Sequence, residues 1–117
     1  MDFETALKIG NAFGGGIGKT GNTCGAVTGA VMVISLKYGA GDINDKEAKE
    51  KAYNLTGTFM REFESRNKSS QCRDLIGFDI SDDSYPDKGK IIMEKCPEFL
   101  KDAVEIIEDI FKDSRIQ

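Results

Sequence analysis

The sequence contains no histidine. That removes the side chain most often used as a general base near neutral pH, the commonest metal ligand beside cysteine, and every Ser/His or Cys/His nucleophile pair. Hydrolytic catalysis of those kinds is excluded. Nor is there an excess of basic residues: 16 Lys and Arg stand against 20 Asp and Glu, a net charge of -4. A nucleic-acid partner calls for a basic stripe that displaces counterions from phosphates, so none is expected. Long apolar runs are also missing. The longest, Ala30 to Ile34, is far short of the roughly 20 residues of a membrane helix, so no membrane partner is expected. No charged-then-apolar leader pattern opens the chain, and the expected location is cytoplasmic. Only three cysteines are present, an odd number that makes a poor disulfide framework. No repeat, linker or low-complexity tract divides the chain, and a single domain over residues 1–117 is expected.

Strand and hairpin patterns are absent as well. Helical spacing recurs instead and predicts an all-α fold, a compact bundle around one buried helix. Residues 2–13 read as a first helix capped by Asp2, with Phe3, Ala6, Leu7, Ile9 and Phe13 at near-helical spacing. Residues 23–38 read as the second, capped by Asn22 or Thr23. Val27, Ala30, Val31, Val33, Ile34 and Leu36 make it apolar on nearly every side, which predicts the central, buried helix. Its β-branched residues offer a short strand as the rival reading, but its glycine and alanine start and its length favour helix. Gly25 and Gly29, four apart, share one side and leave room for a neighbouring backbone. A long helix is expected from Asp42 or Asn44 to about Arg66, with Asn44 and Glu47 resembling a capping box. Its core stripe is Ala48, Ala52, Leu55, Phe59, Met60 and Phe63. Ser69-Ser70 opens a short helix through Cys72, closed by Gly77. Beyond the polar stretch "DISDDSYPDKGK", residues 90–96 read as a separate short turn. Pro97 suits the first position of a last helix that reaches about Lys112 with a broad apolar face, with Cys96 near its cap.

The least ordinary stretch is "GGGIGKTGNTCGAVTGA", residues 14–30. Gly18-Lys19-Thr20 has the end of a phosphate loop, but Phe13 occupies the place of that loop's first glycine, and a helix rather than a strand precedes it. Gly16, Gly18 and Gly21 also fit a dinucleotide fingerprint, again without the strand it needs. The glycines read better as a turn that delivers Cys24 to the start of a helix. There, unpaired N–H groups and the positive end of the helix dipole favour a thiolate. Cys72 falls in the first turn of the short helix and Cys96 just before Pro97, so all three cysteines are expected at helix N-termini. The bland alternative is three packed, inert thiols.

"FGGGIGKTGNTCGAVTGAVMVISLKYG", followed by "CRDLIGFD" at Cys72 and "CPEFLKDAVEIIEDI" at Cys96, resembles the GCAxxG redox-active protein family (C_GCAxxG_C_C) over essentially the whole chain. The resemblance implies an all-helical domain with a redox role, and Cys24, Cys72 and Cys96 as its candidate redox residues. The family pattern has a fourth cysteine upstream of the glycine-rich loop, where this chain has only Met1 to Phe13 and no cysteine. Three readings follow. In the first, Cys24 is the nucleophile of a thiol redox protein with a redox partner protein, and Cys72 or Cys96 resolves. In the second, the same three cysteines hold zinc or an iron–sulfur cluster with a fourth ligand from elsewhere, because four thiolates are not available in one chain. In the third, the chain is a helical interaction module whose cysteines only pack. A missing upstream helix would leave apolar surface on the central helix, and a homodimer or higher oligomer is expected to cover it.

Overall fold

A computed structural model describes residues 2–113. The fold is all-α, in the order α1 (Phe3–Gly10), a 3-10 turn (Asn11–Phe13), α2 (Gly25–Tyr38), α3 (Lys46–Asn67), α4 (Cys72–Ile76) and α5 (Lys88–Lys112). Among the described residues the extended pairing is one isolated antiparallel bridge, Thr23 to Gln71.

The core is a three-helix packing of α2, α3 and α5. Val27, Ala30 and Ile34 meet Leu55, Phe59 and Phe63 of the third helix and Ala103, Ile106 and Ile110 of the last. Phe59 and Phe63, one turn apart, stack at 5.9 Å between ring centres. A smaller cluster forms below it from Cys72, Ile76, Phe78 and Ile80, with Ile91, Ile92 and Cys96 against it. Phe99 packs on both clusters and joins them.

Several boundaries differ from the sequence reading, each for a local reason. α2 begins at Gly25, with Cys24 itself as the cap residue, because the amide of Cys24 is taken by the Ser70 carbonyl and its own carbonyl opens the helix. α3 starts at Lys46 rather than Asp42 or Asn44. The Asp45 side chain accepts from the Ala48 amide, so the cap lies one residue past the expected Asn44. The helix closes at Lys68 in the left-handed conformation, its amide on the Glu64 carbonyl. The largest correction is at the last helix. It runs unbroken from Lys88 to Lys112, with Pro97 inside it, so Cys96 lies in a helix interior and not at an N-terminus. Ile91, Ile92, Cys96 and Phe99 bury one continuous stripe in the lower cluster, which outweighs the ~3 kcal/mol that an interior proline costs.

The expectation of a wholly buried α2 also needs correcting. Its core face is Val27, Ala30 and Ile34, but Leu36 on the opposite side is 70% exposed and Val33 is also exposed. α1 has no buried residue, and Phe3 on it is 79% exposed.

Candidate functional site

The glycine-rich segment folds on itself before it meets anything else. Gly15, Gly16, Ile17, Gly18 and Lys19 all have positive φ, between 60° and 69°. The loop closes through the Gly18 amide on the Ala12 carbonyl (2.8 Å), the Gly21 amide on Gly15 (3.1 Å) and the Asn22 amide on Gly16 (2.8 Å). The Thr20 hydroxyl donates to the Gly16 and Ile17 carbonyls, and the Asn22 side chain donates to that hydroxyl. The Thr20 side chain thus serves the loop's own geometry.

The coil is then fastened to α4. Arg73 donates from its backbone amide and from Nε to the Gly21 carbonyl (3.1 and 3.3 Å), and from Nη2 to the Thr20 carbonyl (2.9 Å). Next to this clasp Thr23 and Gln71 pair in a single bridge, just before α2 starts at Gly25 and α4 at Cys72. The Cys24 amide donates to Ser70 (2.8 Å) and the Cys72 amide to Asn22 (2.6 Å), which flank the Thr23–Gln71 bridge. Side chains alternate across such a ladder, so Thr23 and Gln71 point to one face while Cys24 and Cys72 share the other. Cys24 lies opposite Ser70, which makes Cys72 its diagonal neighbour, a relation that spans about 7–8 Å in a regular ladder. A disulfide spans about 4.4–6.8 Å between Cα atoms, so joining the two sulfurs calls for movement of the backbone around the bridge.

The three thiols are free and differ in setting. Cys24 is half-buried at the N-terminus of α2, where its side chain makes no capping hydrogen bond. Cys72 is 7% exposed. Burial pushes its thiol up from the ordinary value, and the nearby Cys24 and Cys96 sulfurs add to this, with the Arg73 charge partly opposing. Cys96 is half-buried within α5 and is also raised, first by burial and then by Cys24. The sulfurs therefore feel one another, yet among the described residues no group of three or more His, Cys, Asp or Glu side chains is placed to hold a metal ion. Cys96 packs against the lower cluster that holds Cys72, while Cys24 packs on the upper one.

Sequence reading found the three cysteines but missed Gly16, Arg73 and the bridge. A Cβ built on Gly16 would lie 2.6 Å from the Cys72 Cβ, so the loop rests directly on the second cysteine. The only local signal was the arginine that follows Cys72. The pairing itself joins distant parts of the chain and leaves no pattern in either.

The model of a protein family described as "Putative redox-active protein (C_GCAxxG_C_C)" matches residues 1–110. No curated protein and no solved structure matches the chain.

Proposed function

We propose that this chain, which belongs to the C_GCAxxG_C_C family, is a thiol–disulfide protein in which Cys24 attacks and Cys72 resolves. The observation that carries the reading is the Thr23–Gln71 bridge, which sets the two cysteines on one face as diagonal neighbours. Cys24 stands at the start of a helix and is the more exposed of the pair, which suits an entering partner. Cys72 is buried and held by its amide, which suits a group that acts only from within.

The exchange balances with a disulfide-bearing partner as oxidant. The Cys24 thiolate attacks one partner sulfur, the partner's S–S bond breaks, and one partner thiolate leaves. The Cys72 sulfur, after losing its proton to solvent, attacks Cys24. The mixed disulfide breaks, the second partner thiolate leaves, and an internal Cys24–Cys72 bond remains. Two electrons pass to the partner, whose thiolates take up two protons.

The test is a reaction with a small aromatic disulfide whose released thiolate is coloured. With one equivalent of that disulfide, the wild-type chain should release both of its thiolates and keep no adduct. Cys72→Ser should release one and stay mixed at Cys24, and Cys96→Ser should behave as wild type. Because burial raises the Cys72 thiol, the second release should quicken as pH rises through and above the ordinary thiol range, about 8.5. A Cys72→Ser protein that still releases both thiolates overturns the assignment.

A further inference from the structure

The face of α2 turned away from the core is apolar and open. Gly25, Gly29, Met32 and Val33 floor a groove of about 770 Å³ against Ala6 and Ile9 of α1. On the other side of α2, Gly25, Gly29 and Val33 also floor a second groove of about 300 Å³ against Leu100 and Val104 of α5. Val33 and the two glycines belong to both, so the surface is continuous across three helices. α1 has eight residues, a length that is marginal as a helix in water without packing. Its apolar residues lie on one contiguous side, yet Phe3 and Leu7 of that side face solvent.

We propose that this face is the interface of a homodimer, in which the open side of α1 and α2 of one copy closes on the same surface of a second. Three observations name the occupant. The surface is self-complementary, because one chain supplies both a loosely held apolar helix and a groove wide enough for one. A two-fold axis satisfies both at once. Its size fits: Phe3, Leu7, Val33, Leu36, Leu100 and Val104 expose roughly 600 Å² of apolar side chain between them, and the groove floors bring this near the ~800 Å² per partner of a stable interface. The shape agrees too. The radius of gyration is 15.4 Å where about 13 Å is usual for a compact chain of this length, and the long extent is 48 Å.

This inference does not depend on the redox reading. The test is the mass of the full chain in solution, by sedimentation equilibrium from about 0.1 to 100 µM, with a reductant present so that no intermolecular disulfide forms. A mass of about twice 12.8 kDa is expected. Leu36→Glu and Leu7→Glu replace exposed side chains and should keep the helix content while weakening association at least about thirtyfold. Gly29→Leu is a third check. A Cβ there meets nothing within 4 Å, so the fold accepts it while a close neighbour does not. The proposal is overturned by a monomer at every concentration, including one that binds an apolar anilinonaphthalene dye on this face. A dimer that all three substitutions leave intact overturns it as well.

Discussion

At the scale of single residues, Gly16 governs where Cys72 sits. Its φ is +69°, and a Cβ would lie 2.6 Å from the Cys72 Cβ and 2.7 and 2.8 Å from the Asn22 N and O. Those last two atoms are backbone and cannot swing aside, and the Asn22 carbonyl is the acceptor that holds the Cys72 amide. Gly16→Ala should therefore destabilise by about 3 kcal/mol or more, from left-handed strain and overlap together. Gly18→Ala is the control. Its φ is +60° with open space around it, so only the left-handed penalty of about 1–2 kcal/mol applies. Urea denaturation of both variants checks the order, and a costlier Gly18→Ala contradicts this view of the loop. That residues 14–22 form a turn was legible from the glycine run. Which glycine is indispensable was not, because the atoms that exclude a side chain include those of Cys72, far along the chain.

At the scale of elements, α5 separates what local pattern reveals from what packing decides. Proline at a helix start is the ordinary arrangement, and the sequence around Pro97 invites it. Yet Ile91 and Ile92 sit on the lower cluster, and burying them extends the helix back to Lys88. The two arrangements predict opposite effects for Pro97→Ala. Inside a helix the change restores an amide donor and relieves a clash, so it should stabilise by about 1–3 kcal/mol. At a first helical position it would be neutral or mildly harmful. Thermal unfolding of the variant distinguishes them, and a lowered midpoint contradicts the continuous helix. The core stripes of α2 and α3 were legible because Val27, Ala30 and Ile34, like Leu55, Phe59 and Phe63, repeat at helical spacing. Periodicity marked Leu36 as apolar and gave the last helix a broad apolar face, but it does not tell a core face from a face left open, as at Leu36, Leu100 and Val104.

At the scale of the molecule, the proposed site depends on the meeting of two distant segments. The glycine-rich coil, clasped by Arg73, delivers Cys24 to the N-terminus of α2, and the bridge at Gln71 brings Cys72 beside it. The sequence placed all three cysteines at helix N-termini and left open whether Cys72 or Cys96 pairs with Cys24. In the folded chain the Thr23–Gln71 bridge runs between the segments that carry Cys24 and Cys72, and Cys96, within α5, packs against the lower cluster that also holds Cys72. No histidine is needed for such a pair, since sulfur exchange uses solvent and the partner for its protons. The most direct measurement of this account is disulfide mapping of the folded chain after mild oxidation, with free thiols alkylated and peptides identified by mass. One intramolecular bond is expected, Cys24 to Cys72, with Cys96 alkylated. A bond from Cys96 to either of the others, or a folded chain that forms no internal disulfide, would contradict it.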